Sequence, residues 1–319
     1  AVLDRRAAFL PPVLGVPVGV PDPEVARRLH GVPLVLAIFN REVDVLALAR
    51  SLQETGFGPF VSFVALHTHL GQIPDRFWLA RFDEGAAARE EAETARGLFA
   101  DDASQSLFDA LLAFRRTGDY CFLPAPTPDC IYLPDDVPGW LRKKPVRLLD
   151  GGAYDGDTLE RFRRAGVAVS AAACFEPDPE TFPRLAAATR CHEEIELLLW
   201  PCALAASSGR LRFSGGLGES SRVDAAGEMD VPCVAVDEVI PRFAPTLVKL
   251  DVEGAEEEAL AGMTRTLERH QPDLAVSVYH LPNHLWALPS RIAALGLGYR
   301  LYLRSHGHCG FDVVLYGVA

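Results

Sequence analysis

Several short stretches of this sequence carry acids, glycines and a histidine at places where a β-strand should end. The first reads Leu148-Leu149-Asp150-Gly151-Gly152-Ala153-Tyr154-Asp155-Gly156-Asp157-Thr158. An apolar run closes on an acid, passes through a glycine turn and opens a helix. Gly151 and Gly152 allow the backbone to approach a ligand closely, and Gly156 allows tight strand–helix packing. Amides exposed in such a turn can hold a carboxylate, and Asp150 can receive an ammonium group directly or through water. The G-x-G-x-x-G spacing of a dinucleotide site is missing. An acid ahead of the glycines is instead a feature of loops that bind S-adenosylmethionine (SAM), whose methionine end carries both groups. Tyr154, Asp157 and Thr158 complete this candidate cofactor turn.

The second stretch, Cys174-Phe175-Glu176-Pro177-Asp178-Pro179, ends another strand with Glu176. An acid there can accept both hydroxyls of a ribose, and Pro177 and Pro179 stop the strand and start the next helix. The third, Leu247-Val248-Lys249-Leu250-Asp251-Val252-Glu253-Gly254-Ala255-Glu256, sets a lysine inside an apolar strand. A buried lysine needs a partner. Asp251 stands at the strand's carboxyl end, while Glu253 and Glu256 open a helix, where the dipole favours anions. The fourth, Ser277-Val278-Tyr279-His280, brings His280 to the end of a further strand. A histidine of ordinary proton affinity could take the proton of a substrate hydroxyl. Lys249, Asp251 and His280 are therefore the candidate catalytic residues. Asp251 and Glu253 leave room for a divalent ion with oxygen ligands. His67-x-His69 and His306-x-His308-Cys309 lack companion ligands at a recognised spacing.

These residues converge only if the strands lie side by side with their carboxyl ends on one edge. Strand patterns over 146–149, 169–175, 195–199, 246–250, 274–279, 299–303 and 313–316 alternate with helix patterns over 158–164, 179–188, 255–269 and 284–294. This alternation predicts a doubly wound α/β sheet, mixed but mainly parallel, finished by a C-terminal antiparallel hairpin. In such a sheet Asp150, Glu176, Asp251 and His280 share one crevice.

Upstream, residues 33–39 and 60–66 read as strands around a helix bearing Val45, Leu46, Leu48 and Leu52. Asn40-Arg41-Glu42 occupies the place of a phosphate loop, which argues against a cofactor there. Leu107, Leu111 and Phe114 mark a helix after Asp101-Asp102. Five prolines, Pro124, Pro126, Pro128, Pro134 and Pro138, mark an ordered extended connection. The expected organisation is an arm over 1–30, a small α/β and helical domain over 31–120, the connection over 121–140, and a SAM-dependent methyltransferase domain over 141–319.

The whole chain has 319 residues, 49 % of them hydrophobic, and a formal net charge of −12. That balance argues against a nucleic-acid partner, and the basic cluster Arg142-Lys143-Lys144 with Arg147 reads as a solvated face. Seven scattered cysteines without a Cys-x-x-Cys pair point to a reducing compartment, with the cytoplasm as the default. Prolines 11, 12 and 17 interrupt the only stretch resembling a secretory leader, and no run suits a membrane span.

Together the motifs resemble the FkbM family of SAM-dependent methyltransferases. The matching blocks are 148–158, 174–182, the turn Glu219-Ser220-Ser221 with residues 234–239, 247–256, and the tail VYHLPNHLW, YRLYLRSHG and VVLYGV. Tyr154 departs from this pattern, standing where the family commonly has asparagine. The resemblance implies SAM as cofactor, S-adenosylhomocysteine (SAH) as product, and Ser221 among the cofactor contacts. It also implies methyl transfer to an oxygen, often on a sugar or natural product. A glycan or small-molecule acceptor is the expected partner, with self-association through the N-terminal domain as an option. An NAD(P)-dependent sugar oxidoreductase is the first alternative, disfavoured by the glycine spacing and the missing Tyr-x-x-x-Lys pair. A non-catalytic scaffold that keeps the fold is the second.

Overall fold

The computed structural model describes residues 2–5, 7–9, 12, 18–70, 85–191, 194–216, 222, 223 and 227–319. Contacts divide the chain into two compact units. One comprises Ala1–Pro74, Ala110–Ala125 and Gly307–Phe311, the other Asp75–Asp109, Pro126–His306 and Asp312–Ala319.

The larger unit is built on a seven-stranded sheet. Its strands are β1 (Val146–Gly151), β2 (Val169–Phe175), β3 (Glu196–Trp200), β4 (Leu247–Leu250), β5 (Asp273–Ser277), β6 (Arg300–Ser305) and β7 (Val313–Val318). Their order is 3-2-1-4-5-7-6, with β7 antiparallel to both its neighbours and the first five strands mutually parallel. The predicted mainly parallel sheet with a C-terminal antiparallel hairpin is therefore present, and β7 enters between β5 and β6. Strands β4, β5 and β7 are buried along their full length, which is why they read as unbroken apolar runs.

Helices follow these strands in sequence: α1 (Asp157–Arg164) after β1, α2 (Phe182–Ala188) after β2, α3 (Glu256–Ala261) and α4 (Thr264–His270) after β4, and α5 (His284–Ala294) after β5. Leu159 and Phe162 of α1 and Leu185 of α2 join Val146, Leu148, Val314 and Tyr316 in one core cluster. Ile131, Tyr132, Val137 and Leu141, from the stretch around the prolines, are buried in that same cluster. A segment read as an extended connection thus contributes to the core.

Further features of the larger unit depart from what the sequence predicts. The single helix expected over 255–269 is broken between α3 and α4 at Gly262 and Met263. A Cβ at Gly262 would stand 2.0 Å from the Ala205 carbonyl oxygen, and the Gly262 carbonyl accepts the Asp237 amide at 3.0 Å. Close approach of two backbones, not helix propensity, sets the break. A second sheet of four strands, Ala203–Leu204, Gly209–Ser214, Arg222–Val223 and Met229–Val234, was not anticipated. Phe213, Val231 and Cys233 form its small core.

In the other unit, Leu34–Leu36 and Phe60–Ser62 pair in parallel around the helix Val45–Glu54, capped by Asp44. The strand expected over 60–66 stops at Ser62, whose hydroxyl accepts the Ala65 amide and starts the helix Phe63–Leu70. Asn40 accepts the amides of Glu42 and Val43, forming a side-chain turn where a phosphate loop would lie. Among the described residues no helix is long and apolar enough to cross a membrane.

Gly262→Ala should lower stability by roughly 1–3 kcal/mol, a fall of about 2–12 °C in melting temperature. Thermal unfolding of the purified variant checks this, and an unchanged midpoint would contradict the packing described.

Candidate active site

Strand β4 lies between β1 and β5, with Lys249 opposite Asp150 on one side and Ala275 on the other. This register places Lys249 Nζ 3.1 Å from Asp150 Oδ1, both side chains being almost wholly buried. The same ammonium donates to the carbonyls of Gly152 at 2.6 Å and Gly151 at 3.4 Å. Lys249 therefore grips the glycine turn from the neighbouring strand. Burial opposes its charge, but Asp150, Asp251 and Asp157 together hold its proton affinity above the ordinary range. Burial pushes the Asp150 carboxyl up to about 6 despite Lys249, and beyond that ammonium its oxygens find no hydrogen-bond donor among the described residues.

The turn itself is close to the next strand. A Cβ at Gly152, where φ is +73°, would stand 1.9 Å from the Asp251 carbonyl oxygen. The close approach at Gly152 is thus to protein backbone. Tyr154 follows with φ +47°, a left-handed position that asparagine and glycine occupy more readily. Its ring lies 5.1 Å from the Arg184 guanidinium. Gly156, at φ +91°, packs against Leu185, Ala188 and Thr189 and provides α1 with no side-chain cap. The first amides of α1 are left to another acceptor. Asp157 opens α1 and is exposed, whereas Thr158 is buried with no hydrogen-bond partner for its hydroxyl among the described residues.

Glu176 ends β2 beside this turn. Its Oε2 accepts the Tyr154 amide at 3.0 Å and its Oε1 the Asp178 amide at 2.8 Å. Burial raises its carboxyl to about 7, with both amide bonds pulling the other way. Pro177 is half-buried immediately after it. Ser221 lies outside the described residues.

On the other side of β4 the acids gather round one imidazole. His280 Nδ1 stands 2.8 Å from Glu256 Oε1, and its Nε2 stands 3.4 Å from Asp251 Oδ1 and 3.4 Å from Glu253 Oε1. His284 Nδ1 approaches Glu256 Oε2 at 3.2 Å. Burial opposes the His280 charge, but Glu253 and Glu256 win and raise its proton affinity well above the usual value. Glu256 is likewise held far below the carboxylate range, since both histidines outweigh its burial. Burial lifts Asp251, yet Lys249 and His280 return it below its ordinary value. Glu253, in a left-handed conformation at φ +53°, is pushed upward by burial.

Asp150, Glu176, Asp251 and His280 thus stand along one sheet edge with the glycine turn, in keeping with the strand-end argument. Sequence reasoning did not single out Tyr132, whose hydroxyl donates to Asp251 Oδ2 at 3.0 Å, nor His284. Glu256, expected as an acid at a helix start, also reaches both His280 and His284. His284 could have been found from the four-residue spacing to His280, whereas nothing adjacent to Tyr132 marks it. Among the described residues no group of His, Cys, Asp and Glu is arranged to hold a metal ion. Both ring nitrogens of His306 are engaged, with Thr127 and Tyr316.

The raised carboxyl of Glu176 makes stability depend on pH. In the unfolded chain it ionises near its ordinary 4.5, whereas in the fold it holds its proton to about 7. Its contribution is complete below the first value and is lost as pH rises through the second, amounting to roughly 3 kcal/mol. Ligand-free Glu176→Gln should lose less stability than the parent between pH 5 and pH 8 in denaturant titrations. Parallel curves for the two proteins would count against the buried carboxyl.

Comparison with known proteins identifies the family. The model of the methyltransferase FkbM domain matches residues 150–309. A hexuronic acid methyltransferase, AglP, of Haloferax volcanii is 34 % identical over 102 residues. That alignment spans 30 % of this chain and 41 % of the relative, well under half its length. The crystal structure of a methyltransferase FkbM from Methylobacillus flagellatus superposes with a TM-score of 0.76 at 22 % identity, covering 99 % of this chain and 82 % of that one. The family model takes in the glycine turn, Glu176, Lys249, Asp251 and His280, and the chain belongs to the FkbM methyltransferase family.

Proposed function

We propose that this protein transfers a methyl group from SAM to an oxygen atom of a sugar-containing acceptor. The observation that carries this reading is the pairing of an uncapped α1 with buried Glu176 across one turn. The free amides at the start of α1 suit the methionine carboxylate, and Asp150 supplies the negative charge that an ammonium group requires nearby. Gly151, Gly152, Tyr154, Gly156, Asp157, Thr158 and Pro177 shape the pocket, and Glu176 accepts the ribose hydroxyls. Ser221 is proposed as a contact on the family resemblance alone. Bound SAM supplies an electrophilic methyl group, and alignment of the acceptor oxygen accounts for most of the rate.

The acceptor enters beside Asp251 and Glu253, whose side chains are 26 % and 16 % exposed while that of His280 is 1 % exposed. His280, held as imidazolium, keeps the Asp251 carboxylate anionic and in place beforehand, and that carboxylate takes the hydroxyl proton and becomes neutral as the methyl group is transferred. Lys249 serves by holding the turn. A glycan acceptor draws support from the relative named for hexuronic acids. The dehydrogenase and scaffold readings draw none. We place the protein in the cytoplasm and read the N-terminal unit as a candidate surface for self-association.

Saturating SAM or SAH, at about a hundred times its dissociation constant, should add about 2.7 kcal/mol, or roughly 5–10 °C of melting temperature, while NADH adds nothing. Glu176→Ala should weaken SAM binding about ten- to a hundredfold. His280→Ala should slow turnover, read as SAH formation with glucuronic acid or neutral hexosides offered as acceptors. A shift with NADH alone, or none with either adenosyl ligand, would overturn the proposal.

A further inference from the structure

Tyr132 precedes the segment matched by the family model, yet it touches both halves of the candidate site. Its hydroxyl donates to Asp251 Oδ2 at 3.0 Å, and its ring centroid lies 5.6 Å from Lys249 Nζ. The side chain is 4 % exposed. Its backbone stands at φ +63°, a region that bulky L-residues seldom adopt. Such a conformation persists only where the surroundings over-determine it, and here they do. The Tyr132 amide donates to the Tyr316 hydroxyl at 3.0 Å, and the Tyr132 carbonyl accepts from Trp140 Nε1 at 3.0 Å. Tyr316 is fixed in turn by His306 Nε2 at 2.8 Å and by an edge-on contact of its ring with Trp140. Two backbone anchors thus hold an unfavourable conformation whose product is a ring and hydroxyl projected under β4.

The hydroxyl stays protonated, because burial and the Asp251 charge both oppose its ionisation. It therefore acts as a fixed donor to one carboxylate oxygen of Asp251. The other oxygen, Oδ1, is then left facing His280 Nε2 at 3.4 Å. Ser277 also hydrogen-bonds the Asp251 side chain, so without the Tyr132 hydroxyl the carboxylate is held by one donor fewer and its aim is less fixed.

We propose that Tyr132 is a positioning residue that aims the Asp251 carboxylate at the reaction centre, supplied by a segment outside the family-matched region. This inference rests on the methyltransferase reading. It extends that reading to the charge on the cofactor: an aimed carboxylate favours the sulfonium cation of SAM over the neutral thioether of SAH. Damage to packing alone would weaken both ligands alike.

Tyr132→Phe keeps the ring beside Lys249 and both backbone anchors, and removes only the hydroxyl. Titration calorimetry of the 319-residue chain with SAM and with SAH would compare the parent, Tyr132→Phe, Asp251→Ala and the double variant. The expected result is a loss of about three- to tenfold in SAM affinity for Tyr132→Phe, with less than about twofold for SAH. In the Asp251→Ala background the same substitution should change neither. Unaltered SAM affinity, equal losses for the two ligands, or the same loss in both backgrounds would overturn the proposal. Failure of the parent to bind either ligand would strike the methyltransferase reading instead. Ligand-free melting of the same four proteins then still tests the tether: non-additive shifts support it, and additive shifts remove it.

Discussion

The site depends on one cation placed in the centre of the sheet. Lys249 has β1 and β5 as neighbours of its strand and almost no exposed surface. A charge in that position is tolerated only with close partners, because the interior cannot solvate it. Its partners are Asp150 and the carbonyls of Gly151 and Gly152. Satisfying the lysine therefore fixes the height of the glycine turn over β1. The turn in turn decides where α1 begins and which of its amides stay free. A hydrophobic residue of similar size would pack in the same strand, but it would leave Asp150 buried and unpaired, and the turn without its grip.

A second balance operates on the opposite side of β4. Asp251, Glu253 and Glu256 would repel one another if all were ionised in a closed space. His280 stands among them, and His284 shares Glu256. The histidine keeps a proton that burial alone would remove, and in exchange it lets Asp251 and Glu256 remain anions. The left-handed Glu253 and Gly254, at φ +53° and +105°, turn the chain so that a third carboxylate reaches the same imidazole. Backbone strain of this kind gathers where side chains must converge.

Tyr132 links the two balances. It places an aromatic face beside the lysine and a hydroxyl on Asp251, so the cofactor turn and the carboxylate cluster share one support. That support is carried by a proline-rich stretch packed into the core with Tyr316 and Trp140. The position is informative about architecture as well as chemistry, since a segment with little regular structure acquires a defined conformation by burying Ile131, Tyr132, Val137 and Leu141.

Strand β1 with its glycine turn, the acid closing β2, the lysine inside β4 and the histidine after β5 were all legible in order. Each depends on local rules: a doubly buried strand is a short apolar run, a left-handed turn wants glycine, and strand ends in a parallel sheet face one way. The bounds of α5 match the span expected from the sequence, although Pro289 lies inside the helix. Other features were not local. The break at Gly262 arises because the Ala205 carbonyl comes too close for a Cβ, and Ala205 lies far away in sequence. The small second sheet pairs short strands with few buried residues, so its pattern is weak. The proton affinity of His280 was out of reach for the same reason, because a histidine's sequence neighbours do not reveal that three carboxylates from the following turn of β4 surround it. The sequence by itself determined which residues could do chemistry and on which strand ends they stand. Tertiary structure decided their charge states and their aim, because burial and the approach of separate segments set both.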